Sequence, residues 1–344
     1  MRLAREAAGA RPVQPDDATT STPRLAARWW AAALAAVMVC ASLSAQHHDK
    51  RQDRSLGPIA VDVWPVPLDP RNPALTTLGE FSFAGGIRLT SRQTDRLHEL
   101  SDIVVYGENR MAAVGDSGVM FDARLVLDGA DRLVGITDAV IAPLVGEDGK
   151  PLKKHSRADA EGLARLPSGD RLVSFERRPR IWLYPKDGGV PHAVPSPDTR
   201  FPSNHGMEAL TAAPDIANDA YMVGGESSGK TWTCRVSTAC EKGLTIDKPK
   251  GFGLVSLNRL PDGRTACLLR SFDTVRRSRI LLEVLDGDRV VAHLTLEDPL
   301  TVDNFEGLAS TEGRNGGRRF YMISDDNSSP SQRTLIFAFD WRPR

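Results

Sequence analysis

Short apolar runs alternate with turn-forming segments along most of the chain after residue 75. The runs are paired: an apolar stretch, a segment dense in Gly, Pro, Asp or Asn, and a second apolar stretch, as in 100–115, 161–175 and 306–324. Gly, Pro, Asp and Asn tolerate the backbone geometry of tight hairpin turns. The pattern therefore predicts a series of short antiparallel β-hairpins. The 29 Gly and 23 Pro of the 344-residue chain also favour an all-β fold.

The hairpins recur at intervals of roughly 50 residues, the size of one propeller blade. The word Glu-Gly-Leu-Ala occurs twice, at 161–164 and 306–309, and related words occur in three other units. Aligning the five units gives the series Asp102, Glu161, Glu208, Ser256 and Glu306. We predict a single β-propeller of five or six blades, with a preference for six. Residues 78–90 are expected to complete the blade that ends at Trp341, because pairing of terminal strands removes a free sheet edge.

The N-terminal part of the chain has a different pattern. Residues 1–30 are polar and lack a hydrophobic period, which is typical of disorder. Arg24 and Arg28 precede the uncharged run Trp29–Ala45, as in a secretory signal peptide. An uncleaved membrane anchor is an alternative, and a lipoprotein attached through Cys40 is a third. We interpret the chain as a disordered leader with a signal peptide or anchor (1–46), a linker (47–74) and the propeller domain (75–344). Export would place the protein in the periplasm or outside the cell.

Charge and cysteine content narrow the classes of partner. Lys and Arg together number 44, as do Asp and Glu, so net charge favours neither nucleic-acid nor membrane-surface binding. We expect a monomer that acts on a small molecule, with membrane contact only through an uncleaved anchor. Cys234 and Cys240 are close enough to form a disulfide in an oxidising compartment. Cys267 lies in an apolar run and is predicted to be a buried thiol.

Charged residues are expected to meet at one mouth of the propeller channel. The innermost strand of each blade lines the channel, so the series above would form a ring. The second strands also end on charged residues: Asp116, Glu176, Glu226, Arg270 and Asp325, followed by Asp326. A hairpin brings its two ends together, so both series would lie near the same face. Carboxylates crowded in a low-dielectric mouth repel each other, and a cation, an Arg or a raised pKa must relieve them.

This arrangement suggests two kinds of chemistry. Several carboxylate oxygens suit a hard cation such as Ca²⁺, and the candidate ligands are Asp102, Asp116, Glu176, Glu226, Glu306 and Asp325. The competing interpretation is that these acids bond backbone N–H groups of neighbouring blades. Candidate catalytic residues are Glu161, Glu208, His205 and Arg270. Carboxylates and imidazole transfer protons, and a guanidinium balances charge on phosphate oxygens; Arg177 is a second candidate cation.

Five stretches of the chain, the last of them in two parts, resemble in order the bacterial family called esterase-like activity of phytase, or phytase-like domain proteins. They are FAGGIRL (83–89), LSDIVVYGENRMAAVGDSG (100–118), DAEGLARLPSGDRLVSFER (159–177), NHGMEALTAAPD (204–215) and the segments NFEGLASTEG and RRFYMISDDN (304–313, 318–327). The resemblance spans about residues 75–342 and implies a β-propeller that hydrolyses esters or phosphoesters. The chain departs from the pattern at Ser256, which lacks a carboxylate, and at Ala209, which replaces the Gly after Glu208.

Two functional hypotheses follow. One is an exported, Ca²⁺-dependent hydrolase of phosphoesters or other esters that acts at the acidic mouth. The other is a non-catalytic propeller that binds a ligand or an envelope protein there. The sequence leaves open whether the protein is an enzyme.

Overall fold

The computed structural model describes residues 56–153, 155–202, 205–275 and 277–343. The leader, the signal or anchor segment and Cys40 lie outside the described residues. Within them, no helix is both long and apolar enough to cross a membrane.

The described chain consists almost wholly of antiparallel β-strands. Four strands come first: β1 (Gly57–Pro58), β2 (Asp62–Pro65), β3 (Thr77–Leu78) and β4 (Phe81–Thr90). The next four are β5 (Leu100–Tyr106), β6 (Arg110–Gly115), β7 (Val119–Leu127) and β8 (Leu133–Pro143), and β1 pairs with β8 to complete blade I. The helical turn α1 (His155–Ala158) leads to blade II: β9 (Ala160–Arg165), β10 (Arg171–Phe175), β11 (Arg180–Tyr184) and β12 (His192–Val194).

The remaining strands form three more blades. Blade III contains β13 (Ala209–Ala212), β14 (Ala220–Gly224), β15 (Lys230–Arg235) and β16 (Cys240–Thr245). Blade IV contains β17 (Gly253–Arg259), β18 (Thr265–Asp273), β19 (Arg277–Asp286) and β20 (Arg289–Leu296). Blade V begins with β21 (Asn304–Glu312), β22 (Arg318–Asp325) and β23 (Leu335–Trp341), with a 3₁₀ turn at Arg314–Gly316. It continues outwards through β4 and β2, and β3 pairs with β4.

Five sheets surround one axis, so the fold is a five-bladed β-propeller. The inner strands β5, β9, β13, β17 and β21 pack side by side, and β21 lies against β5 to close the ring. The prediction of an all-β propeller is confirmed, but the preference for six blades was wrong. Residues 78–90 join the last blade, as predicted, and the five repeat units account for all five blades. The segment 47–74, interpreted as a linker, also contributes the edge strands β1 and β2.

Pairing of β4 with β23 joins the two ends of the domain, as predicted. Phe81 lies opposite Trp341 in this pair, and both rings are buried in the core between blades IV and V. Phe320 packs against both, with ring centroids 6.2 Å away in each case. Full burial of one such side chain stabilises the fold by about 2–3 kcal/mol, so the closure rests on an aromatic cluster as well as on strand pairing.

The cysteines are placed as the sequence predicts. Cys234 and Cys240 lie opposite each other in the β15–β16 hairpin and form a disulfide. Cys267 is a free, buried thiol in β18, where burial raises its pKa.

The inner strands carry β-bulges that decide which side chains face the mouth. In β9, Ala160 pairs with Phe175 and Gly162 with Ser174, which leaves Glu161 as the extra residue. The same shift makes Glu306 the extra residue of β21. A bulge inserts one residue into a strand and re-aims its side chain. Both glutamates therefore leave the regular alternation of their strands.

Two members of the predicted inner series are wrong by one position. The bulge residues of β5 and β17 are Ser101 and Val255, not Asp102 and Ser256. Asp102 and Ser256 instead correspond to the residues after the bulge, which are Gly162 in β9 and Gly307 in β21. The aligned sequence motifs contain no insertion at this point. Only the pairing register of the strands shows that Asp102 and Ser256 lie one residue after the bulge position.

Candidate functional site

The residues of the second predicted series lie at one equivalent point of the five hairpins. Asp325 pairs with Asn304, and Arg270 pairs with Gly253, at the same point of two hairpins. Asp116, Glu176 and Glu226 occupy this point in the other blades, where their backbone N–H groups donate to the chain that leads into the inner strand. Each hairpin thus delivers one charged side chain to the mouth, and four of the five are acidic.

Arg270 is the cation at the centre of this ring. Its guanidinium donates to Glu306 and to Asn304 Oδ1, and its Nη2 lies 3.6 Å from Glu226 Oε1. Burial alone would lower the pKa of Arg270, but Glu306, Glu208 and Glu226 outweigh it and raise that pKa. Arg270 therefore stays charged and neutralises part of the mouth.

A second cluster lies between blades I and II, and none of its members is an ion-pair partner of Arg270 among the described residues. Asp116, Asp159 and Glu161 each offer a carboxylate oxygen, and these atoms lie within 4.8 Å of one another. Ser101 Oγ donates to Asp116 at 2.6 Å, and Arg177 Nε donates to Asp159 at 2.7 Å. The three carboxylates are therefore close enough together to ligate one cation.

The sequence prediction missed Asp159 as a site residue. It lies two positions before the Glu161 bulge, at the point that Asn304 occupies in blade V. The signal was present, because both residues begin the quoted words DAEGL and NFEGL. The prediction used only the glutamate of each word.

Burial and mutual repulsion raise the pKa of most mouth carboxylates. Burial is the main cause for Asp116, whose pKa rises to about 8, with further repulsion from Glu306 and Asp159. The pKa of Asp325 rises to about 9 through burial and then through Glu306 and Asp116. The same causes raise the pKa values of four glutamates: Glu161, Glu176, Glu208 and Glu306. The mouth therefore holds protons near neutral pH unless a cation takes their place.

Glu208 and His205 approach the mouth from the segment before β13. Glu208 is buried, and burial followed by the charge of Glu226 raises its pKa well above the usual range, although Arg270 acts in the opposite direction. His205 is more than half exposed and its Nδ1 bonds Glu226. The structure thus places an acid and an imidazole near Glu226: His205 bonds it, and its charge acts on Glu208.

Asp102 has a different environment, below the mouth among the inner strands. Its Oδ2 accepts from Leu163 N–H at 2.8 Å, and its Oδ1 accepts from Ser256 Oγ at 3.1 Å and Leu308 N–H at 3.3 Å. These partners belong to blades II, IV and V. Asp102 therefore ties four blades together across the axis, which is the structural role that competed with metal binding in the sequence interpretation.

Asp326 also bonds between blades. Its carboxylate accepts from the backbone N–H of Glu99 at 3.1 Å and from Thr334 Oγ1 at 2.8 Å. It therefore fixes the loop after β22 against the start of blade I.

Glycines after two bulges permit the close approach that the sequence suggested. A Cβ on Gly162 would lie 2.5 Å from Ser174 Oγ and 2.6 Å from the carbonyl oxygen of Glu208. A Cβ on Gly307 would lie 2.7 Å from Cα of Asp102. Neighbouring inner strands thus touch backbone to backbone at these points, which brings Glu161, Glu208 and Glu306 to one shared space.

Solved structures of many other β-propellers resemble this chain in fold. The major allergen Mala s 1 of Malassezia sympodialis is 14% identical, covers 81% of this chain and 96% of its own, and has a TM-score of 0.44. A putative gluconolactonase is 14% identical over 84% and 95%, with a TM-score of 0.44. Regucalcin of Agrobacterium tumefaciens, described as a calcium-binding protein, is 13% identical over 85% and 92%, with a TM-score of 0.42. These similarities concern the fold alone.

Family membership rests on the sequence itself. No curated protein matches the chain. A family model described as phytase-like, esterase-like activity of phytase, matches residues 95–328, which include every mouth residue described above. This confirms the resemblance carried by the repeated words, and the chain belongs to the phytase-like family.

Proposed function

We propose that this protein is a hydrolase of phosphoesters or other esters, that its reaction takes place at the acidic channel mouth, and that it depends on a divalent cation such as Ca²⁺. The observation that carries the proposal is the pairing of two features in one mouth. Asp116, Asp159 and Glu161 converge within 4.8 Å, and Arg270 supplies a fixed positive charge elsewhere in the same mouth, where it pairs with Glu306.

The three carboxylates fit a hard cation by their chemistry. All their ligand atoms are oxygens, which Ca²⁺ prefers, and repulsion between Asp116, Asp159 and Glu161 already favours positive charge in the space between them. A bound divalent cation would supply positive charge to an ester or phosphate oxygen. The ligand set proposed here differs from the sequence hypothesis, since it includes Asp159 and assigns Glu161 to the metal.

The remaining mouth residues are proposed to handle protons and substrate charge. Burial raises the pKa of Glu208 well above its usual range and so favours the protonated carboxyl, which can donate its proton to a leaving oxygen. His205 is exposed at the rim and can exchange protons with solvent while bonded to Glu226. Arg270 can share its guanidinium between Glu306 and an anionic oxygen of the substrate.

Turnover on a panel of chromogenic esters and phosphoesters, with Ca²⁺ or with chelator, tests the proposal. Glu161→Gln should abolish turnover and also the rise in melting temperature that Ca²⁺ causes, since any ligand of the folded state stabilises it. Glu208→Gln should lower kcat by about 10²–10⁴-fold, the usual contribution of a general acid, while it keeps the Ca²⁺-dependent rise. Glu241→Gln is the matched control, because Glu241 is exposed on the outer strand β16.

A folded protein that turns over no member of the panel, with or without Ca²⁺, would overturn the proposal and favour the ligand-binding propeller. Turnover that survives both Glu161→Gln and Glu208→Gln would show that the chemistry lies elsewhere.

We further propose that the protein is exported to the periplasm or the medium and acts as a monomer. The Cys234–Cys240 disulfide supports an oxidising compartment. Cell fractionation with thiol alkylation tests this, and a reduced pair recovered from the cytoplasm would contradict it. Sedimentation of the purified protein tests the monomer.

A further inference from the structure

A cleft adjoins the mouth between blades IV and V. It has a volume of about 890 Å³, and Glu226, Arg270 and Asn304 line it as well as the mouth. A molecule with its reacting group in the mouth could therefore extend into the cleft without leaving the protein surface.

Two of the arginine side chains that line this cleft have no acidic partner among the described residues. Arg333 also lines the cleft but donates to Asp303 at 2.9 Å, and Arg270 serves the mouth carboxylates. Arg71 and Arg277 are exposed, and among the described residues neither guanidinium has a hydrogen-bonding or ion-pair partner. One exposed carboxylate, Asp298, lies in the same lining. The cleft thus contains two unpaired guanidiniums and one exposed carboxylate. This excess of positive charge favours binding of an anion.

The same wall carries an exposed aromatic ring. Phe272, near the end of β18, is 68% exposed and lines the cleft, whereas most large apolar side chains in the described part of the chain are buried. Phe272 pairs with Ser278 and Asp273 with Arg277 in the β18–β19 hairpin, and both Phe272 and Arg277 line the cleft. A cleft that carries an exposed ring and free guanidiniums suits a ligand that is partly apolar and partly anionic.

A polar group in the lining of the cleft is also unsatisfied. Ser271 lies between Arg270 and Phe272 and is only 4% exposed, yet its hydroxyl has no hydrogen-bonding partner within the described part of the chain. Buried polar groups in native proteins normally have partners, and an exception calls for a reason. A bound ligand oxygen, reached by a small shift of the hairpin, would provide one.

We propose that this cleft binds the non-reacting part of the substrate, and that this part is an apolar or aromatic group bearing a carboxylate or phosphate. Arg71 and Arg277 bind the anionic group, and Phe272 packs against the apolar group. The inference rests on the proposed function for the reaction at the mouth, but binding in the cleft is measurable without any turnover.

Calorimetric titration with phenylphosphonate and methylphosphonate, in chelator, tests the proposal directly. Arg71→Gln and Arg277→Gln should each weaken phenylphosphonate binding by about tenfold or more, the effect of losing a hydrogen bond to a charged group. Phe272→Ala should remove the preference for phenylphosphonate over methylphosphonate. Arg289→Gln is the matched control: Arg289 lies in the same blade beyond the other end of β19, is 73% exposed, and should leave both affinities unchanged.

Two further outcomes separate this inference from the proposed function. Phenylphosphonate binding that persists in Glu161→Gln and Glu208→Gln, and that depends on Arg71 and Arg277, supports the cleft even if no ester is hydrolysed. Binding that is absent, or equal in wild type and all cleft variants, overturns the cleft proposal even if hydrolysis at the mouth is confirmed.

Discussion

Asp102→Ala should destabilise the propeller strongly, because Asp102 bonds three other blades. The change removes the acceptor of two donors, Leu163 N–H and Ser256 Oγ. Leu308 N–H retains its second acceptor, Ser256 Oγ at 3.1 Å. Each buried donor left without an acceptor costs about 1–3 kcal/mol. Two such losses and the cavity left by the carboxyl group give a total of about 3–6 kcal/mol. At about 2–4 °C per kcal/mol, the melting temperature should fall by about 6–24 °C.

Urea unfolding followed by tryptophan fluorescence, together with calorimetry, measures this loss. Asp102→Asn should cost less, since its amide keeps one carbonyl acceptor. Asp286→Ala is the matched control, because Asp286 is 60% exposed and lies 3.4 Å from Arg289, and such a pair contributes less than about 1 kcal/mol. The reasoning is refuted if Asp102→Ala costs no more than Asp286→Ala. A Ca²⁺-induced stabilisation that vanishes in the folded Asp102→Asn variant would instead assign Asp102 to the metal.

Three further predictions concern pH, packing and redox state. In chelator, the pKa of Asp325 in the folded protein is about 9, so its carboxyl stays protonated up to about that pH. Its contribution to the free energy of unfolding is therefore fully present below about pH 4. This contribution decreases by about 1.4 kcal/mol per pH unit and is lost as the pH rises through about 9. Asp325→Asn should flatten this slope in urea titrations between pH 5 and 8, and an unchanged slope would contradict the assignment. Gly162→Ala should cost several times more stability than Gly129→Ala, because a Cβ on Gly129 meets nothing within 4 Å; equal melting temperatures would show that the inner strands can separate. Peptide mapping after alkylation of the unreduced, denatured protein should leave Cys234 and Cys240 unmodified, and labelling of both would disprove the disulfide.

The repeated words predicted the architecture well because hydrophobic spacing and turn composition are local properties. They placed the hairpins, the closure of 78–90 onto Trp341 and the charged ends of the second strands. They misplaced Asp102 and Ser256 by one residue. A bulge changes which side chain faces the axis, but it does not change the spacing between the repeated sequence motifs. Nothing in the sequence therefore identified Ser101 and Val255 as the bulge residues.

The composition of the site was less predictable than its location. The sequence indicated a mouth crowded with carboxylates, and the structure divides that mouth into an Arg270 side and an Asp116–Asp159–Glu161 side. This division depends on distances between blades that are far apart in the chain. The blade count also depends on the closure, because only the pairing of β4 with β23 shows that the first long strand belongs to the last blade.

The pairing of β4 with β23 also has a consequence for how the ring is made. Phe81 meets its partner Trp341 only after nearly the whole domain has been synthesised. Until then blade V is unfinished, and both β4 and β22 present open edges that can pair with other chains. The contacts that close the ring span most of the sequence, which slows folding. A nascent chain therefore stays open until its last strand is released, and loss of that strand would leave an aggregation-prone ring with a gap.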